Sequence, residues 1–498
     1  VVVNAYLVPL MKRYLAELEQ NLRPRRVSAA TFLQGYRSSR LHVMQSSGGM
    51  AAVGRIGAEP VRTILSGPAG GVAAAYRLAE RLGLRQVISF DMGGTSTDVC
   101  LLDGRPRLTR EAVLDGLPIA VPLLDIHSVG AGGGSLARID AGGALRVGPE
   151  SAGAEPGPAC YARGGDQPTV TDANLILGRL DASYFLGGDY QLNERLATEC
   201  FNRFLKRSAG LPSHPSKLYS NIFKLGDGIV SVANATMERA LRVVSVERGH
   251  DPREFTLVSF GGAGGLHAAD LARSLGIQTV VIPQNPGAFS ALGVLLSDMI
   301  RDVSLSVLAP VPPAPDGAKS SGFRQFLLEL DRRFQQLEWA GRTSLRNEGF
   351  DSQAALAERR LDVRYAGQGY ELTVPMSPRF PDDFHEAHLK AHGHSQPGHA
   401  LEIVSLRVRL IIRTPKPRVR AQRPGKSDST SAVIARKLVW FGGKPIRSPA
   451  YSRRLLSPGM RIRGPAIVTE YSSTTVIPAD YECRVDPFLN MVLVRHAG

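Results

Sequence analysis

The stretch that most constrains this chain is QVISFDMGGTSTDVCLLDG, residues 86–104. Apolar residues on both sides of the DMGGTSTD core predict two strands joined by a tight turn. The core carries two carboxylates, Asp91 and Asp98, a glycine pair and a run of hydroxyls. Glycines at a strand end let backbone N–H groups approach a polyphosphate, and hydroxyls add donors. Gly93, Gly94, Thr95 and Thr97 are therefore candidate phosphate holders. A carboxylate does not sit on phosphate, because like charges repel. Asp91, at the strand end, is placed instead to hold a hydrated magnesium ion that bridges phosphates. The same residues also suit a plain β-hairpin whose hydroxyls pair locally, and the spacing alone leaves both readings open.

The flanking segments bear on that choice. Upstream, SGPAGGVAAAYRLAERLG (residues 66–83) is a helix of small residues that lets a second helix come close. Downstream, LVSFGGAGGLHAADLARSLG (residues 257–276) is again strand, glycine loop and helix. A dinucleotide fingerprint is a weaker match there, since His267 stands where its third glycine belongs and no acidic partner stands out. PQNPGAFSALGVLLSD (residues 283–298) supplies a second small-residue helix. The order of hinge helix, phosphate turn, adenosine loop and second hinge resembles the ribonuclease-H-like ATPases of the actin, hexokinase and heat-shock-chaperone type. That resemblance implies that Gly261, Gly262 and Gly264 hold a nucleoside. Strands and helices alternate from residue 86 to about 300, which predicts a doubly wound α/β region. The expected division is the remainder of a first ATPase lobe at 1–85, a second lobe at 86–300, a proline-rich linker at 301–325 and an α+β domain at 326–498.

Composition narrows the class. No apolar run approaches the roughly 18 residues of a spanning helix. Cys100, Cys160, Cys200 and Cys483 are dispersed with no CxxC pair, which argues for reduced thiols and a cytoplasmic setting. The net charge of +15 raises nucleic acid as a partner. The basic residues are spread along the chain, however, and the densest run (residues 413–426) is broken by prolines and has no aromatics for bases to stack on, so a solvated basic surface is expected. The chain opens on VVVNAYLVPLMKRYLAELEQNL, whose apolar residues recur at helical spacing, so the start reads as an interior amphipathic helix and not a signal peptide.

Further polar groups attract notice. Asp125 and His127, at i and i+2 ahead of a glycine run (residues 130–134), share one face of a strand. Such a pair suits catalytic polarisation of a carbonyl or ligation of a divalent transition metal, with His267 as a third ligand. Equally, His127 suits a hydrogen bond within the glycine-rich turn. Thr171 or Asp172 is a natural N-cap for the apolar helix that follows. His385, His388, His392, His394 and His399 read as surface residues.

Several strings carry a closer resemblance: NAYLVPLMKRYL, TILSGPAGGV, FDMGGTSTDV, DIHSVGAGGGS, VGPESAGAEPGPACY, TVTDANLILGRL, FGGAGGLHA and RYAGQGYELTV. Together they resemble the hydantoinase A/5-oxoprolinase family over nearly the whole chain. The resemblance implies an ATP- and Mg2+-dependent hydrolase that opens a small cyclic amide such as 5-oxoproline or a hydantoin. It also implies an oligomer with a B-type (hydantoinase B-like) subunit, and a further N-terminal region carrying a first phosphate loop. Two alternatives remain beside it. One is the beta subunit of an acetone-type carboxylase, and the other is a truncated chain acting only as a binding partner.

Overall fold

A computed structural model of the chain describes residues 2–22, 41–109, 112–114, 116–119, 121–208, 221–313, 320–417 and 419–496. Two units are each discontinuous in sequence: Val1–Val43, Gly49–Val61 and Ser297–Pro415 form one, and Met44–Gly48, Arg62–Leu296 and Lys416–Gly498 form the other.

In the first unit, alternating apolar residues make long strands. Met299–Pro310 pairs antiparallel with Leu401–Ile412, which pairs antiparallel with Leu356–Tyr365. Val408 and Leu410 point to one face, and Arg407 and Arg409 to the other. The apolar face is covered by the helix Ser321–Asn347, whose Phe323, Leu330, Phe334 and Leu345 recur at helical spacing, and by Phe380 and Phe384 of the helix Phe380–His392. On the polar face Arg409 bonds Asp302 at 2.7 Å, and Arg407 bonds the fully buried Asp362 at 2.6 Å. Of the five histidines expected at the surface, His388 is buried, its ring edge-on to Tyr365 and its Nδ1 bonded to the His394 carbonyl.

The second unit is built on a nine-stranded mixed sheet. Its order is Ile126–Val129, Thr97–Asp103, Gln86–Met92, Thr256–Phe260, Thr279–Ile282, Met491–Arg495, Tyr481–Val485 and Arg461–Arg463, with Arg105–Pro106 paired to Thr97–Asp103. The central strands are buried and mostly apolar, as strands covered on both faces are. Phe90 lies toward the helix Gly264–Leu275 on one face. One position on in the sheet, Phe260 lies against Gly71 of the helix Ser66–Leu82 on the other. The two small-residue helices do meet. A Cβ at Gly70 would stand 2.7 Å from the Ser290 carbonyl, and one at Gly293 would overlap the Gly70 carbonyl.

The expected domain borders need correction. Residues 301–310 are strand and not linker; the alternation of Val303, Leu305 and Val307 outweighs the prolines that follow it. At the other end of that linker, 321–325 open the helix Ser321–Asn347, and 314–319 lie outside the described residues. The expected 326–498 domain is divided: it contributes to the first unit as far as Pro415, and from Lys416 it belongs to the second. The physical reason is long-range pairing, since Met491–Arg495 runs antiparallel to Thr279–Ile282 and extends the sheet through Tyr481–Val485 and Arg461–Arg463. The expected first-lobe segment 1–85 divides likewise, its last residues carrying the helix Ser66–Leu82 into the second unit.

Candidate functional site

Gln86–Met92 and Thr97–Asp103 form the expected hairpin, with Asp91 opposite Asp98 and Met92 opposite Thr97. Directly opposed residues share a face. The register therefore sets two carboxylates side by side at the hairpin mouth, and Asp98 joins Asp91 as a candidate ligand. Sequence reasoning had both residues within the motif but not their register. Burial pushes Asp91 up to about 6, against the pull of a hydrogen bond from Ser290, and the neighbouring Asp98 adds to the rise. Asp98 is raised by burial too, partly offset by the Ser128 hydroxyl that bonds it. Two adjacent carboxylates, each reluctant to ionise, form a hard oxygen donor set that fits a divalent cation keeping most of its waters.

The turn between the strands is open. Gly94 and Thr95 are exposed, and the Gly93 N–H closes the turn on the Ser96 carbonyl at 3.0 Å. The glycine run at residues 130–134 forms its floor. Gly133 and Gly134 donate to the Gly93 and Gly94 carbonyls at 3.0 and 2.6 Å, and a Cβ at Gly132 would lie 2.6 Å from the Thr95 nitrogen. These glycines allow one chain to lie against another. Thr97 is fully buried, and its hydroxyl donates to the Ala131 carbonyl at 2.5 Å. It braces the floor, which leaves Gly93, Gly94 and Thr95 as the accessible part of the expected phosphate set.

The second glycine motif lands beside the first. Thr256–Phe260 runs parallel to Gln86–Met92 with Phe260 alongside Asp91, and the Ala263 N–H donates to the Met92 carbonyl at 3.0 Å. Gly261 has φ +83°, and a Cβ there would stand 2.5 Å from Asp91 Oδ1. Only glycine lets the loop pass this close to the carboxylate. Gly262 is exposed, whereas Gly264 is buried against the Ser259 hydroxyl, so Gly264 packs the helix onto the sheet and does not face the opening. From the second small-residue helix, Ser290 donates to Asp91 Oδ2 at 2.9 Å. The sequence hint was a hydroxyl among small residues, but the contact depends on helix placement.

The three expected metal ligands are not brought together. His127 pairs with Val99 and Ser128 with Asp98, so the alternation turns His127 to the sheet face opposite the carboxylate pair. Asp125 is held by Arg248, whose Nη2 lies 3.0 Å from Oδ1. Burial and that same arginine lower His127. His267 lies apart on its own helix, fully buried with Nδ1 2.7 Å from Asn234; burial, then Arg179, push it down to about 3. Among the described residues no group of three or more His, Cys, Asp or Glu side chains clusters as a metal site. Asp172 is not the N-cap. Thr169 caps the helix Val170–Ile176 in a capping box with Asp172, and Thr171 donates to the Gly133 carbonyl beneath the turn.

Comparison with known proteins gives a consistent result. Residues 1–303 match the family described as Hydantoinase/oxoprolinase, and residues 318–495 match the Hydantoinase/oxoprolinase C-terminal domain. The chain is 32% identical to the caprolactamase subunit alpha of Pseudomonas jessenii, across 98% of this chain and 68% of that protein. It is 33% identical to the 5-oxoprolinase of Saccharomyces cerevisiae, across 96% of this chain but only 36% of that one. A crystal structure of ATP-dependent caprolactamase from Pseudomonas jessenii superposes with a TM-score of 0.79 at 30% identity, covering 100% of this chain and 70% of that chain. Nucleotide-free acetone carboxylase superposes with a TM-score of 0.76 at 24% identity, covering 92% and 64%, a likeness of fold. The fold is the α/β fold of the actin/hexokinase-like ATPases. No helix among the described residues is long and apolar enough to cross a membrane.

Proposed function

The chain belongs to the hydantoinase/oxoprolinase family, and on that premise we propose that it is the nucleotide-binding A-type chain of an ATP-dependent hydrolase that opens a cyclic amide. The observation that carries this reading is the register of Asp91 beside Phe260. It sets the exposed Gly93–Gly94–Thr95 turn against the bare backbone of Gly261 and Gly262, with the two carboxylates next to both.

A cyclic amide carbonyl resists water because attack breaks its resonance. Transfer of the γ-phosphoryl group to the amide oxygen breaks the β–γ P–O bond and releases ADP. Water then adds at the activated carbon, the C–N bond breaks as nitrogen takes a proton, and a second water frees phosphate from the acyl phosphate. Asp91 and Asp98 would hold Mg2+, which supplies positive charge to the phosphates when bound. The turn amides and the Thr95 hydroxyl would orient the terminal phosphates, and Gly261 and Gly262 would leave room for the ribose. The residues of this chain contribute chiefly position and electrostatics, as phosphoryl transfer requires. A B-type partner chain would complete the amide site.

The test is ADP release by the chain assembled with its partner. We expect release with 5-oxoproline, a hydantoin or caprolactam, matched by ring-opened amino acid. Release with acetone plus bicarbonate in place of the cyclic amides would instead make the enzyme a carboxylase.

A further inference from the structure

Within the second unit, outside the carboxylate turn, lies a cavity of about 500 Å³, within the range of small-molecule sites. Three charged side chains line it: the exposed Arg454, and two that are more than nine-tenths buried, Arg453 in the turn Arg453–Leu455 and Glu470 at the end of the strand Ala466–Glu470. Arg453 Nη2 is anchored on the Leu489 carbonyl at 2.6 Å, while Nη1 has no hydrogen-bond partner. Glu470 Oε1 has none either. The two feel each other's charge, yet they form no ion pair. Burial holds the Glu470 carboxyl up at about 7, against the pull of Arg453. Leaving a buried donor and a buried acceptor both unmet is expensive; these two atoms are themselves sealed from solvent, and it is the remainder of each side chain that lines the cavity.

The cavity adjoins the glycine loop. Asn285 lines it and is followed by Pro286, whose carbonyl accepts from the Gly261 N–H at 3.0 Å. Tyr471 lines it and is followed by Ser472, whose carbonyl lies 3.3 Å from where a Gly262 Cβ would be. Tyr471 is itself seated on Gly187 and bonded through its hydroxyl to Asp189 at 3.1 Å. A ligand in the cavity thus lies next to Gly261–Gly262, the loop that also packs against Asp91 and Met92.

We propose that this cavity receives the base of the nucleotide, with Glu470 accepting from an exocyclic amine and Arg453 donating to the adjacent ring nitrogen. The donor-and-acceptor edge of adenine complements an acceptor and a donor that line one cavity. A cyclic amide has a similar edge. Its carbonyl, however, must reach the γ-phosphoryl group, and the base is the part of a nucleotide farthest from that group. This inference rests on the nucleotide reading above.

The test is equilibrium titration of the whole enzyme with three probes: ATP, purine riboside triphosphate (which lacks the exocyclic amine) and inorganic tripolyphosphate. Wild type is expected to prefer ATP over the purine analogue by about ten- to a hundredfold, the worth of one hydrogen bond to a charged group. In Glu470→Leu that preference should fall to about one, with tripolyphosphate affinity unchanged and the thermal midpoint no lower, because an unmet buried carboxyl is removed. Arg453→Met, judged by the same preference, is the second variant. If ATP and tripolyphosphate bind but wild type shows no preference, or Glu470→Leu keeps it, the cavity assignment falls and the nucleotide reading stands. If Glu470→Leu instead raises the KM for the cyclic amide with ATP binding intact, the occupant is the amide and the base assignment is overturned. If neither ATP nor tripolyphosphate binds, the nucleotide reading falls and takes this one with it.

Discussion

Buried carboxylates occur in both units, and their surroundings differ. In the first unit Asp362 is fully enclosed, and donors fill its valences: Thr373 Oγ1 at 2.7 Å, Arg407 Nε at 2.6 Å and the Ser405 hydroxyl. In the second unit Asp91 takes one side-chain hydrogen bond among the described residues, from Ser290, and faces another carboxylate. Glu470 is more than nine-tenths buried with an unmet oxygen. A saturated carboxylate locks strands and gains nothing from a ligand. An unsaturated one costs stability in the empty protein and recovers it on binding. Depth of burial alone does not separate the two; unfilled hydrogen-bonding capacity does.

The sharpest way to break this contrast is to exchange the outcomes of the two aspartates. Asp91→Asn should lower ATP turnover of the assembled enzyme by about a thousandfold, at the upper end of what one electrostatic group contributes. Its thermal midpoint should hold or rise. Near-normal turnover would remove Asp91 from the site. Asp362→Ala should do the reverse, costing about 3 kcal/mol in denaturant unfolding because Arg407, Ser405 and Thr373 lose their common acceptor. Turnover per folded molecule should not change. An unstable Asp91→Asn protein beside a stable Asp362→Ala one would refute the distinction.

Acid sharpens it further. Glu470 has its folded value raised from 4.5 to about 7, so the native state binds the proton more tightly than the unfolded chain does. Its contribution to stability is therefore complete below about 4.5 and is lost as pH rises through 7, by about 3 kcal/mol. Glu470→Gln should flatten that part of the pH–stability profile, and the variant should gain on wild type as pH increases. A wild-type profile without a fall between those values would mean that the carboxyl has a partner in solution.

Some of this was legible in the sequence because it is local. The DMGGTSTD hairpin, the glycine loop at 261–264 and the two small-residue helices are each written in adjacent residues and fold where their spacing says. The parts that were missed are set by register and distant pairing. Asp98 stands in the motif, yet only the hairpin alignment sets it beside Asp91. Asp125 and His127 share a face, as period two requires, but the pairing of Ser128 with Asp98 turns that face away from the carboxylate pair. Glu470 and Arg453 sit in apolar and basic surroundings without any motif, and they become neighbours because Lys444–Ser452 pairs parallel with Ala466–Glu470, with Ser452 beside Thr469.

The smallest effect tests how finely Asp91 is set. Ser290 lies on the helix Phe289–Leu296, whose approach to Ser66–Leu82 is fixed by Gly70 and Gly293, so its hydroxyl reaches Asp91 from a rigid base. The bond holds one carboxylate oxygen and favours the charged form that a cation needs. Ser290→Ala removes it without adding volume, and we expect a cost of about 1 kcal/mol, seen as a several-fold fall in turnover. A merely structural loss would lower the amount of folded enzyme and leave its Mg2+ requirement alone. A loss of positioning should raise the Mg2+ concentration needed for half-maximal turnover by a similar factor, and an unchanged Mg2+ dependence would show that Asp91 is oriented by the hairpin alone.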